Sequence, residues 1–344
     1  MRSDTRTRAP ARSPARSPAP ARPSPSSPLL LPSPTGAFAP YRQALVALGE
    51  ARCDVLVLGA DLGNSTEIDA FRDRFPDRFF NFGAAEQNEV DVAAGLALEG
   101  EVPFVHSFGV FLTRRAYEQV IVQVAMHGAN VKLVGMIPGL TSRLGPTHQA
   151  IEDLSLMRAI PGMTVIDPAD ATEIEQVVPA IAAWRGPVYT RMMRREVRRV
   201  LDPATYRFEV GRAVRLRTGR DVALACSGLM LEPALAAAAD LAARGVEADV
   251  IHCPTLKPLD EAAILDAAGR CGAVVTAENH LVTGGLGSAV AELAGERLAV
   301  PVERVGIRDT FAVPGSPEYL FARYGLTAEA ICAAAVRAIS RKAR

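Results

Sequence analysis

The chain has 344 residues with 38 basic and 38 acidic side chains, and this zero net charge argues against a nucleic-acid or anionic-membrane partner. No apolar run reaches the roughly 18 residues that a membrane helix needs, and none is flanked like a secretory signal. The five cysteines (Cys53, Cys226, Cys253, Cys271 and Cys332) lack CxxC spacing and any disulfide framework, which points to buried thiols in a reducing cytoplasm and to no zinc site.

Residues 1–34 form a low-complexity leader of repeated Ala-Arg-Ser-Pro units with a single early acid. Such a stretch cannot bury a core and is expected to be disordered, a dispensable extension or the product of an over-long reading frame. From Tyr41 onward, short β-rich runs alternate with Ala/Leu-rich helical runs. Strands are expected at 54–59, 103–108, 131–135, 163–167 and 187–192. Helices are expected at 41–48 (closed by Gly49), 86–99, 114–127, 149–159 and 171–183. Residues 194–219 break this rhythm with Arg194, Arg195, Arg198 and Arg199, and read as a linker with a short extended piece at 206–210. A second unit follows, with strands at 221–227, 248–253, 273–278 and 302–307 between helices at 231–243, 261–268, 288–294 and 327–340. Short apolar strands alternating with helices imply α/β architecture: two doubly wound, mostly parallel sheets, one in 35–193 and one in 220–344.

In open parallel sheets, ligands collect at the carboxyl ends of the strands. Those ends carry Asp61 and Ser65, then Phe108 and Phe111, then a glycine-rich turn ending at His148, then Arg191; Arg42 lies on the first helix. Glu86 joins them from the start of its helix, after Asn81-Phe82-Gly83-Ala84-Ala85. Each also has a plain structural reading. Glu86 suits a helix-dipole carboxylate, Phe108 and Phe111 suit a core, His148 suits a helix N-terminus, and Arg191 suits the surface. Gly284-Gly285-Leu286-Gly287-Ser288 fits close helix-on-strand packing better than an anion site, because no basic residue accompanies it. The dinucleotide, Walker A and nucleophile-elbow patterns are all absent.

Taken together and in order, Gly-Ala-Ala-Glu86-Gln-Asn, Ser107-Phe-Gly-Val-Phe111-Leu-Thr-Arg114-Arg, Gly145-Pro-Thr-His148-Gln and Pro161-Gly-Met-Thr-Val-Ile-Asp-Pro resemble the pyrimidine-binding domain of transketolases. Lys257-Pro-Leu-Asp and Glu278-Asn-His followed by Gly284-Gly-Leu-Gly-Ser resemble the same family's C-terminal domain. The resemblance runs from about Tyr41 to the end and is that of the smaller subunit of a split transketolase. It implies a thiamin diphosphate enzyme in which Glu86 bonds N1′ of the aminopyrimidine and so promotes formation of the nucleophilic ylid. It further implies that Phe108, Phe111 and Arg114 surround that ring, with Asp61 approaching the cofactor. His148 would meet sugar hydroxyls, and Arg42, Ser65 and Arg191 would hold the sugar phosphate.

Two departures bear on substrate. Ile137 stands where the family commonly has a histidine, and Leu144 where it commonly has an aspartate, so the expected substrate is less hydroxylated or otherwise unusual. The family's Gly-Asp-Gly segment for diphosphate and metal is missing from the chain. The resemblance therefore implies a partner subunit that binds diphosphate and Mg²⁺, in an α2β2 heteromer with active sites between subunits. Rival readings are the β subunit of a 2-oxo acid dehydrogenase E1 component, an acyloin or deoxyxylulose-type synthase, and a regulatory or structural subunit.

Overall fold

The computed structural model describes residues 27–342, and the first 26 residues of the expected leader lie outside that range. The end of the leader departs from expectation. Residues 30–34 belong to strand β1 (Leu30–Phe38), which runs antiparallel to Glu196–Leu201 in a two-stranded ribbon. Pro32 and Pro34 are tolerated because an edge strand can dispense with N–H groups on its open side.

The first sheet contains β2 (Val55–Gly59), β3 (Phe79–Asn81), β4 (Val102–Phe108), β5 (Lys132–Met136), β6 (Thr164–Ile166) and β7 (Val188–Met192). Strands β2, β4, β5 and β7 are buried along their whole length, as expected where helices cover both faces of a parallel sheet. Strand β8 (Glu196–Leu201) pairs with β1. The second sheet contains β9 (Val214–Arg217), β10 (Val222–Cys226), β11 (Ala248–His252), β13 (Val274–Leu281) and β14 (Val302–Ile307). Strand β12 (Thr255–Lys257) leaves the second unit and joins the first sheet antiparallel to β6, giving the order β12-β6-β7-β5-β4-β2-β3.

The stretch expected as a linker therefore contains two strands. It holds β8 and then β9, the antiparallel edge of the second sheet. Residues 206–210 are not a strand; Tyr206 is buried, with its hydroxyl on Glu173. Gly49 does not close the first helix, which runs Pro40–Ala51. Its reason is packing: a Cβ there would sit 2.5 Å from the Phe71 ring and 2.6 Å from that of Phe75. The single helix expected at 114–127 is three pieces. An α-helix spans Gly109–Arg114, a short turn spans Tyr117–Gln119, and a π-helical turn spans Val120–Ala125. The helix expected from 149 begins only at Asp153.

The two units meet through a buried charged cluster. Arg191, on β7, donates from Nε to Asp153 Oδ2 at 2.8 Å and from Nη2 to Asp153 Oδ1 at 2.5 Å. Its Nη1 reaches the Asn279 carbonyl of β13 at 3.1 Å and lies 3.6 Å from Asp167. Tyr189 donates to Asp153 at 2.6 Å, and Ser227 of the second unit donates to Asp167 at 2.9 Å. Burial opposes the Asp153 charge, yet the Arg191 guanidinium holds that carboxyl below its ordinary range. The cluster ties β7 and the first unit's Asp153 and Asp167 to β13 and Ser227 of the second unit.

Candidate active site

Strand β4 delivers Ser107 and Phe108 to the carboxyl end of the first sheet, and the helix that follows at once carries Phe111. The helix Glu86–Leu98 packs on the same strand through Val90, Ala93 and Ala94, so its first turn meets those residues. Glu86 is 1% exposed. Its Oε1 accepts from Ser107 Oγ at 3.0 Å and its Oε2 from Arg115 Nη1 at 2.6 Å. The Phe108 and Phe111 rings stack at 5.7 Å with 21° between planes. His148 stands edge-on to both, 5.4 Å from Phe111 and 6.2 Å from Phe108. Four expected residues thus converge: Glu86, Phe108, Phe111 and His148.

Arg114 is not beside them as expected. Its guanidinium is committed to Glu152 and to the carbonyls of Pro146 (2.9 Å) and Gln149 (3.1 Å), so it pins the turn that presents His148. The neighbouring Arg115 takes the site position instead, with its guanidinium 4.6 Å over the Phe111 ring. One residue further along a helix end turns the side chain about 100°, and the sequence alone gives no signal for which arginine faces inward.

The four residues expected near cofactor and phosphate from other segments fare differently. Asp61 is exposed, with its backbone N–H held by Asn81 Oδ1 at 3.0 Å. Arg42 is bridged to Asp69 at 3.0 Å. Ser65 accepts from Arg194 Nη1 at 3.1 Å through its carbonyl. Arg191 is corrected: it is 1% exposed, and all three of its nitrogens are engaged within the interdomain cluster, so none is left for a phosphate. Arg194, three residues on, lines the cleft in its place. That cleft measures ≈ 690 Å³ between the two units, and Phe108, Ile137, Arg143, Leu144, Met193 and Arg194 are among its walls. Ile137 has φ +61°, a left-handed conformation that β-branched residues rarely adopt. Strain of this kind marks a position whose side-chain direction is dictated by its surroundings.

Glu89, one turn after Glu86, escaped sequence reasoning. It is fully buried and takes the His106 N–H at 3.2 Å on Oε1. Burial pushes its carboxyl up to about 8, so it keeps its proton at neutral pH. The glycine-rich 284–288 segment behaves as packing. The Glu278 carboxylate accepts from Leu286 N (2.7 Å) and Gly287 N (2.8 Å), and a Cβ at Gly285 would lie 1.9 Å from Glu278 Oε2. Among the described residues, no group of three or more His, Cys, Asp or Glu is placed to hold a metal ion. None of the described helices is long and apolar enough to cross a membrane.

A carboxylate buried beside two stacked rings, with a flat cation laid on one of them, suits a planar N–H-bearing aromatic ring. Residues 38–200 match the transketolase pyrimidine-binding domain and residues 211–331 the transketolase C-terminal domain. The chain is 46% identical to the 6-deoxy-6-sulfo-D-fructose transketolase subunit of Clostridium sp. (strain MSTE9), over 88% of this chain and 94% of that protein. It is 33% identical to an apulose-4-phosphate transketolase subunit of Phocaeicola vulgatus, over 88% of this chain and 96% of that protein. A solved split-gene transketolase, in an inactive β4 tetramer, superposes with a TM-score of 0.83 at 43% identity, over 89% of this chain and 100% of the other.

Proposed function

The chain belongs to the transketolase family as a split-subunit transferase, and on that premise we propose that it supplies the activating acid and much of the substrate cleft of a thiamin diphosphate-dependent ketol transferase. The observation that carries this reading is Glu86, buried beside the Phe108–Phe111 pair at the carboxyl end of β4. When bound, thiamin diphosphate supplies the nucleophilic carbon that carries the two-carbon unit. Glu86 would share a proton at N1′ of its aminopyrimidine, with Ser107 orienting the carboxylate. Phe108 and Phe111 keep water from the ring, while His148, held by Thr147 Oγ1 at 2.9 Å, meets substrate hydroxyls. Asp61 is the least committed cofactor candidate.

A partner subunit would hold the diphosphate and Mg²⁺ in an α2β2 assembly, in the cytoplasm. Exposed apolar residues on adjacent helical segments support assembly: Val92 and Leu98 on one, Val122 on the other, and Met126 just past its end.

The substrate we propose is a ketose with a strong acid at its far end. The names of both relatives describe such a sugar, one a sulfonate and one a phosphate. Arg194 would hold that anion, with Arg42 and Ser65 behind it, while Ile137 and Leu144 give the mouth an aliphatic wall. Paired with its partner, the chain should transfer a two-carbon unit from a sulfonated or phosphorylated ketose poor in hydroxyls. Full activity on xylulose 5-phosphate with ribose 5-phosphate would remove the case for altered specificity, and lipoyl-dependent oxidation of pyruvate would favour the dehydrogenase reading. Arg194→Ala should raise KM for the anionic donor roughly 10- to 100-fold, the loss of one charge-assisted contact, with kcat little changed.

A further inference from the structure

We infer that Arg115 is an internal stand-in for the aminopyrimidine ring, occupying its place in the cofactor-free chain and leaving when the ring binds. The inference rests on the reading that this site takes thiamin diphosphate. Arg115 donates to Glu86 Oε2 at 2.6 Å while its guanidinium lies 4.6 Å over the Phe111 ring. A guanidinium is flat, cationic and rich in N–H donors, and it stacks on aromatic faces. An aminopyrimidine that donates from N1′ to the same carboxylate and rests on the same rings needs the same two contacts, so the two compete for one place.

Burial gives the stand-in a purpose. The Glu86 side chain is 1% exposed and that of Arg115 is 45% exposed, so the arginine lies on the solvent side of the acid. Oε1 is already taken by Ser107. Without Arg115, Oε2 would be a buried anionic oxygen with no partner, a strongly unfavourable state. Arg115 sits at the joint between the Gly109–Arg114 helix and the turn starting at Tyr117, and among the described residues only Glu86 and Phe111 hold its guanidinium.

A capped site binds its ligand with an affinity reduced by the fraction of molecules that are uncapped. The test is calorimetric titration of thiamin diphosphate with Mg²⁺ into the chain assembled with its partner subunit, for wild type, Arg115→Ala and Arg115→Lys. Arg115→Ala should bind the cofactor roughly tenfold tighter. Arg115→Lys keeps the counter-charge and hence the fold but loses the flat stack, and should fall between the two. Equal or weaker binding by Arg115→Ala, with wild-type binding intact, overturns the inference. Should Arg115→Ala not fold, Arg115→Lys decides, and binding no tighter than wild type overturns it. Failure of the wild-type assembly to bind thiamin diphosphate overturns the cofactor reading itself and this inference with it.

Discussion

Glu86→Gln lowers turnover of the assembled enzyme by roughly 10²- to 10⁴-fold, the range over which a positioned acid–base group acts, and leaves the fold intact. Glutamine fills the same volume and still accepts from Ser107 Oγ through its carbonyl oxygen. What it cannot do is share a proton with N1′. Stability should change little, because Arg115 is 45% exposed and can turn its charge to water when the carboxylate is gone. Single-turnover kinetics alongside a thermal melt separates the two effects. Unchanged turnover would support a regulatory or structural subunit instead.

Arg191→Met should act in the opposite way, through stability rather than chemistry. Removing this guanidinium leaves Asp153 and Asp167 buried with no cation between them, and also strips donors from the carbonyls of Ala150 and Asn279. Breaking a buried ion pair from one side costs about 3–5 kcal/mol. For a chain of this size that corresponds to a fall in Tm on the order of 10 °C. Arg191→Lys should not rescue it, since one ammonium cannot reproduce contacts made separately by Nε, Nη1 and Nη2. Arg194→Ala supplies the contrast, with KM raised and Tm unmoved. A variant of Arg191 that melted normally but lost affinity for the anionic donor would return it to the substrate site.

The difference between these two arginines shows where sequence reasoning stops. Apolar runs such as Val55–Gly59 announce buried parallel strands, and the order of Glu86, Phe108, Phe111 and His148 along successive strand ends made their convergence legible. Arg191 lies near the end of β7 and Arg194 just past it, and the sequence points to Arg191 as the phosphate binder. Only the closing of the second unit, with Asn279 and Ser227 against Arg191 and Asp167, assigns one to the interior and one to the cleft. Arg114 and Arg115 pose the same problem on a smaller scale, because the helix break between them and Tyr117 has no proline or glycine to mark it. Strand β1 was hidden by its own prolines, and β12 by its length of three residues and by a partner strand in the other unit.

The central claim is that this chain carries half of a thiamin diphosphate site. It is tested most directly by titrating thiamin diphosphate with Mg²⁺ into the isolated chain and into the chain assembled with a diphosphate-binding partner. The isolated chain should show no tight binding, and binding should become saturable once the partner is present. Micromolar binding by the isolated chain, or none by the assembled pair, would contradict it.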